Sequence, residues 1–250
     1  MKKSQIYVVL PAYNEELSIG KLLTRIKQNF LDTNTDNYTI VVVNDGSKDR
    51  TPQILEDFAA NTNLKILTHE KNQGLGRTMR DGLQYASEVS DSNDIIITLD
   101  ADDTHTPGLM PRMMNLIREG HDVIIASRYQ KGSRIFGLTF SRKLFSYVAS
   151  WMFRILLPIK GVKDFTCGYR AYRASVLKDA FAKFGDKFID QEGFQSMVDI
   201  ILKLRTMPVI FAEVPFILRY DMKEGDSKMN VNSTIKKTLQ LIIKRRFKKI

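Results

Sequence analysis

Asp100 and Asp102 stand two residues apart, directly after the apolar run 95–99. Side chains at i and i+2 of an extended segment point the same way, so both carboxylates can face one hard cation. Mg2+ or Mn2+ usually takes one or two carboxylates plus phosphate oxygens, which suits a diphosphate ligand. The same short pattern also fits an acidic loop ahead of a helix starting near Pro107. Other polar clusters share the placement after an apolar run: Pro11-Ala12-Tyr13-Asn14-Glu15, Asn44-Asp45-Gly46-Ser47, NQGLG at 72–76 and Ser127-Arg128-Tyr129. In an open parallel sheet, ligands bind beyond the carboxyl ends of the strands, and five such clusters are more than turns require.

Other chemistry is sparser. Gly74 and Gly76 lack the full spacing of a dinucleotide fingerprint and fit a closely packed loop at least as well as a phosphate contact. His69, His105 and His121 show no ligand spacing; His105 stands near Asp100 and Asp102 and could touch a metal there, but reads rather as a solvent-facing loop residue. Cys167, the single cysteine, excludes an intramolecular disulfide and reads as a small buried residue. No nucleophile elbow, P-loop or zinc pattern is present.

The elements that position these clusters alternate. Short apolar runs at 6–10, 39–43, 64–67, 95–99 and 123–126 predict strands, and apolar positions at helical spacing predict helices over 18–30, about 51–58, 77–88 and 107–118. This alternation predicts one α/β domain, a mainly parallel sheet with helices on both faces. The second half is less regular: helices over 141–157, 175–184 and 194–206, a glycine-containing segment 161–173, and a strand at 209–214. The domain is expected over 1–230, followed by a basic amphipathic tail over 231–250.

The 250 residues are 43% hydrophobic and 26% charged, an ordinary globular composition. Lys+Arg 38 against Asp+Glu 28 gives +10, and residues 233–250 supply +7 of it, with seven basic side chains and no acid. Ile235, Leu239, Ile242, Ile243 and Phe247 form one helical stripe there, opposite Lys237, Lys244 and Lys248, the pattern of a helix lying on an anionic bilayer. A helix packed on its own domain or on a second copy of the chain has the same pattern. Phe247 is the tail's one aromatic, too few for base stacking, so nucleic acid is not an expected partner. The start carries no secretory signal, and the apolar stretch 144–159, interrupted by Arg154 and Pro158, is short for a membrane span.

PAYNEE, VVVNDGS, NQGLG, LDADDTHTP, ASRY, DFTCGYRAYR and GDSKM, in this order over about residues 5–230, resemble the inverting glycosyltransferases of family two. The branch most similar is the dolichol-phosphate mannosyltransferase-like one, the polyprenyl-phosphate glycosyltransferases. The resemblance implies a GT-A fold and transfer of a hexose, of mannose or glucose type, from a GDP- or UDP-linked sugar to dolichyl or undecaprenyl phosphate. It implies nucleotide-sugar binding by Pro11, Tyr13, Glu15, Asn44, Asp45, Asp100, Ala101, Asp102 and Lys228, with Mg2+ or Mn2+ on Asp100 and Asp102. Arg128, Arg142, Ser146 and Arg170 match residues that gather the acceptor phosphate, with Asp102, Arg128 and Arg142 closest to the chemistry. Asn44 replaces a usual aspartate, Thr104 stands where relatives can carry a third metal ligand, and Met222 stands where an arginine often precedes the GxSK loop, a role left to Arg219 or Lys223.

Chemistry agrees with a phosphate acceptor. A sugar hydroxyl needs a general base, whereas a phosphate monoester, with a second pKa of about 6, is already dianionic near neutrality and needs cations to place it. Transfer to a glycan hydroxyl would require a carboxylate base, for which Asp199 or Glu192 could serve. A non-catalytic basic membrane-surface protein is the other alternative, and the intact Asp100 and Asp102 argue against it. The single cysteine fits a reducing compartment, and a lipid acceptor together with the basic tail makes the expected location the cytoplasm, peripheral on the cytoplasmic face of a membrane, with a homodimer through the tail as the alternative.

Overall fold

The computed structural model describes residues 4–224 and 240–241, without the side chains of 140–145 and 149. Lys228 and all of the tail stripe lie outside the described residues; within the tail, Leu241 is buried against the core.

Continuous apolar runs build the first half. β1 (Ile6–Ala12), β2 (Tyr38–Asn44), β3 (Leu64–Thr68) and β4 (Ile95–Thr98) pair in parallel in the order β3-β2-β1-β4. Val8, Val9, Ile40, Val41, Val42 and Ile96 are buried, as strands covered on both faces must be. The crossovers are α1 (Ile19–Asp32), α2 (Thr51–Ala59) and α3 (Leu75–Val89). α1 buries Ile19, Leu22, Leu23, Ile26 and Phe30, the stripe its spacing predicts. α3 lies tight on the sheet at Gly82, where a Cβ would come within 2.6 Å of Val9 Cγ1.

In the second half follow α4 (Met110–Arg118), β5 (Val123–Ser127), β6 (Arg134–Phe136), α5 (Phe140–Leu156), β7 (Arg170–Arg173), α6 (Ala174–Phe184), α7 (Ser196–Leu204), β8 (Phe211–Pro215) and β9 (Ile217–Arg219). The main sheet has seven strands, β3-β2-β1-β4-β7-β5-β8, and β6 pairs with β9 in a small second sheet. β7 runs antiparallel between β4 and β5, with Thr98 opposite Arg170 and Ile125 also in register with it. This corrects the irregular reading of 161–173: four residues are too few to show a period, and two flanking strands supply the pairing that makes them a strand. Pro215 is tolerated because β8 is an edge strand.

Helices cover both faces. Val9, Thr98 and Arg170 share the face under α3, by register. Arg173 points the other way, where Nη2 donates to the Ile117 carbonyl at the end of α4.

Candidate active site

Beyond β4 the chain turns sharply. Thr98 Oγ1 donates to the Gly168 carbonyl at 2.6 Å, tying this strand end to the segment before β7. A Cβ at Gly168 would come within 3.0 Å of Asp100 Oδ1, so glycine there leaves room for the carboxylate. The Asp100 backbone N–H donates to His105 Nδ1 at 3.1 Å, and His105 Nε2 stands 3.6 Å from Asp100 Oδ2. His105 is buried, stacked on Tyr169 and edge-on to Phe216, so it underpins the loop instead of facing solvent as the sequence suggests.

Asp102 is held on both oxygens. Oδ1 accepts from Thr104 N–H at 3.2 Å and Thr104 Oγ1 at 2.7 Å, and Oδ2 accepts from Lys223 Nζ at 2.6 Å. Thr104 thus orients Asp102. Of the two candidate late cations, Lys223 reaches the site, while Arg219 pairs with Asp221 in solvent. Asp103, in a left-handed conformation at φ 57°, bonds Arg25 on α1. Burial pushes the Asp100 carboxyl above its ordinary range; His105 opposes the rise, and Asp102 and Glu15 add to it. Burial acts the same way on Asp102, but His105 and Lys223 overcome it and hold that carboxyl low. Ala101 is buried between them.

The first two strand ends interlock. Asn14, at φ 51°, receives the Lys48 N–H on Oδ1 at 2.8 Å and donates its own N–H to Ser47 Oγ at 3.0 Å. Asn44 Oδ1 accepts from Ser47 N–H at 3.1 Å. Glu15 N–H donates to Thr51 Oγ1 at 2.8 Å, and its carboxylate accepts from Ser18 Oγ at 2.9 Å. Pro11 and Tyr13 are half-buried at the end of β1.

Asp45 turns inward. It accepts from the N–H groups of Gln73 at 2.8 Å and Gly74 at 2.9 Å. His69, which shows no ligand spacing in the sequence, links it to α3: its ring nitrogens lie 2.7 Å from Asp45 Oδ1 and 3.0 Å from Asp81 Oδ2. Gly74 and Gly76 close the loop on residues 191–192, with Gly76 N–H donating to the Glu192 carbonyl at 2.8 Å. Close packing is therefore what these glycines provide.

On the other side of β7, Arg128 pairs bidentately with Asp164, Nε to Oδ2 at 2.8 Å and Nη2 to Oδ1 at 2.7 Å. The Asp164 carboxylate also accepts from the backbone N–H groups of Arg128, Thr166 and Cys167. Tyr129 OH meets Ser146 Oγ at 2.6 Å, which brings α5 to the end of β5. Arg142 lies one turn before Ser146 on α5, with its side chain outside the described ones. Arg170 sits beneath the site instead of in it: it is fully buried on the α3 face, Nη2 donating to the Phe165 carbonyl at 3.0 Å. Cys167 is buried as expected, its thiol pushed up to about 12 by burial.

Of the two carboxylates weighed as a base for a hydroxyl acceptor, Asp199 is buried and ion-paired with Lys203 at 2.6 Å, which withdraws it from such a role. Glu192 is exposed.

The model of glycosyl transferase family 2 matches residues 7–181. A dolichol-phosphate mannosyltransferase of Pyrococcus furiosus is 31% identical over 226 residues, 90% of this chain but 59% of the relative, so the chain spans less than two thirds of that protein. An undecaprenyl-phosphate mannosyltransferase of Micrococcus luteus is 29% identical over 90% of this chain and 88% of its own. Among solved structures, glucosyl-3-phosphoglycerate synthase from Mycobacterium tuberculosis, in complex with Mn2+, UDP and glucosyl-3-phosphoglycerate, superposes with a TM-score of 0.69 at 18% identity, covering 97% of this chain and 80% of that one. TarS of S. aureus in complex with UDP-GlcNAc gives 0.58 at 22% identity, over 95% and 65%. The fold is GT-A, and the chain belongs to glycosyl transferase family 2 as a glycosyltransferase.

Proposed function

We propose that the protein transfers one hexose, of mannose or glucose type, from a GDP- or UDP-linked sugar to a polyprenyl phosphate, with inversion. The observation that carries this reading is the pairing of two clusters across one strand. Asp100 and Asp102 follow β4, Arg128 and Tyr129 follow β5, and β7 alone separates them. Two strand spacings amount to roughly 10 Å, room for one sugar between a diphosphate and an acceptor phosphate.

The residues fit a divalent cation: Asp102 already holds a cationic group on Oδ2, and Gly168 keeps space beside Asp100. Asp100 and Asp102 would hold Mg2+ or Mn2+, which supplies charge to the departing diphosphate. Thr104 fixes one oxygen of Asp102, and His105 props the backbone that carries Asp100. The Asn14, Asn44 and Ser47 network shapes the loop against which the nucleotide rests, beside Pro11, Tyr13 and Glu15, while Asp45 and His69 brace it; Lys228, outside the described residues, is assigned to the diphosphate. Arg128, held by Asp164 at Nε and Nη2, presents the rest of its guanidinium to the acceptor, with Ser146 and Arg142 on α5. The acceptor phosphate oxygen forms the new bond to the anomeric carbon as the bond to the diphosphate breaks. No base is required, because the nucleophile arrives deprotonated.

Membrane contact belongs to the same reading. Among the described residues no helix is long and apolar enough to cross a membrane. However, α5 exposes Tyr147, Val148, Trp151 and Ile155 next to Ser146, an apolar face where a prenyl chain must leave the bilayer. We assign the enzyme to the cytoplasmic face of a membrane, with residues 1–230 as the catalytic domain and 231–250 as a basic anchor.

The test is incubation with a panel of nucleotide sugars, Mg2+ or Mn2+, and polyprenyl phosphate, followed by mass spectrometry of the lipids. A hexosyl-phosphoprenol product is expected; sugar transfer to glycan hydroxyls alone would overturn the reading.

A further inference from the structure

The chain leaves β9 through the short 3-10 turn Tyr220–Met222 and passes over the carboxylate site. Its backbone at Tyr220 and Asp221 packs closely on Gly137, and among the described residues three polar contacts tie it to the site and to α1. Arg219 N–H donates to the Thr104 carbonyl at 3.2 Å, Lys223 Nζ meets Asp102 Oδ2 at 2.6 Å, and Glu224 meets Lys21 on α1 at 2.5 Å. They differ in strength. Lys21 and Glu224 are 59% and 48% exposed, a pair that solvent screens. Lys223 and Asp102 are 15% and 13% exposed, so their ion pair is the main side-chain tether of this segment. A cleft of about 300 Å³ lies beside it, lined by Leu17, Ser18, Asp103 and Met222 among others.

The ammonium lies on the oxygen that a hard divalent cation would take. A Mg2+ ion binds carboxylate oxygen at about 2.0–2.1 Å, and a nitrogen hydrogen-bonded to the same oxygen claims that space and repels the ion. Thr104 fills the other side of the carboxylate, so the ion cannot be accommodated by using Oδ1 freely. We propose that Lys223 is a built-in counter-cation of Asp102 which the divalent metal displaces, so that metal binding and release of residues 220–224 from the site are one linked event. This rests on the assignment of the metal to Asp100 and Asp102. Linkage makes the effect reciprocal: whatever holds Lys223 on Asp102 weakens metal binding, and whatever removes it strengthens metal binding by the same factor.

The experiment is Mn2+ titration of the full chain without nucleotide, followed by electron paramagnetic resonance of the free ion, on wild type, Lys223→Met, Lys223→Arg and Asp102→Asn. Lys223→Met should bind Mn2+ about tenfold tighter than wild type, the effect of removing one charge-assisted bond of ordinary strength. Lys223→Arg should stay near wild type, and Asp102→Asn should lose the site. Equal or weaker binding by Lys223→Met, with Asp102→Asn still losing it, overturns the displacement and leaves the metal assignment standing. Absence of Mn2+ binding by both wild type and Lys223→Met overturns both. An independent measurement on wild type alone is amide hydrogen exchange over 219–224, which Mn2+ should accelerate. Unchanged or slower exchange with Mn2+ bound overturns the displacement even where Lys223→Met fails to fold.

Discussion

Arg128 grips Asp164 through two parallel hydrogen bonds, and the carboxylate beneath it is fully buried. The pair joins the end of β5 to the segment leading into β7, so one ion pair ties that strand end to the middle of the sheet. Asp164→Asn would leave a nearly buried guanidinium uncompensated, at a cost of about 3 kcal/mol in urea unfolding. Its pH dependence has a definite sign. Burial works against the Asp164 carboxylate, but Arg128 and the surrounding N–H groups hold its pKa below the usual value. A depressed carboxyl contributes stability above the unfolded value, about 3.9, and loses it as pH falls through the folded one. The gap between wild type and Asp164→Asn should therefore narrow as pH drops from about 5 towards 3.

Replacing either Asp100 or Asp102 by alanine should lower turnover by at least about a hundredfold with the circular dichroism spectrum unchanged. A chelator should reproduce the loss in wild type, and Mn2+ or Mg2+ should reverse it. Full activity in excess chelator would refute the metal assignment.

Arg142 and Ser146 are one helical turn apart on α5, so they share a face. Arg142→Ala should raise the KM for the phosphate acceptor or lower kcat, with nucleotide affinity, measured by calorimetry, nearly unchanged. Weakened nucleotide binding alone would put the acceptor site elsewhere.

Gly76 tests the packing of the loop after β3. A Cβ there would fall 1.6 Å from the Gln191 carbonyl oxygen, so backbone must move. Gly76→Ala should destabilise the protein by about 2 kcal/mol or more. Gly108→Ala, whose Cβ would meet only Thr106 at 3.8 Å, should stay within about 0.5 kcal/mol of wild type.

Membrane binding can be divided between α5 and the tail by vesicle flotation. Trp151 is 63% exposed, and Trp151→Glu should reduce binding to anionic vesicles without lowering thermal stability. A chain ending near Asn232 should lose most of the salt-sensitive part, since each basic residue near such a surface contributes about 1 kcal/mol. Equal flotation of truncated and full chains would place the anchor elsewhere.

The alternation of strands and helices was legible because long apolar runs and helical stripes are local signals; the Ile19 to Phe30 stripe is an example. The polar clusters were legible for the same reason, each following a recognisable run. β7 was not: Arg170 to Arg173 carry no period of their own and become a strand through pairing with β4 and β5. Arg170 itself looks like a site cation in the sequence, and only its register opposite Thr98 turns it towards the α3 face. His105 reads as a loop residue until Tyr169 and Phe216, far along the chain, enclose it.

By itself the sequence determined the element order, the cluster at each strand end, the spacing of Asp100 and Asp102, and the family, all of which depend on residues near one another or on motif order. The tertiary structure alone decided the partners: Lys223 on Asp102, His69 between Asp45 and Asp81, Asp164 under Arg128. Most of these charges come from distant segments, and even the near ones meet through a turn of helix or loop. Which opposite charges pair is settled by register and burial, because a carboxylate withdrawn from water takes whichever cation the fold brings within reach.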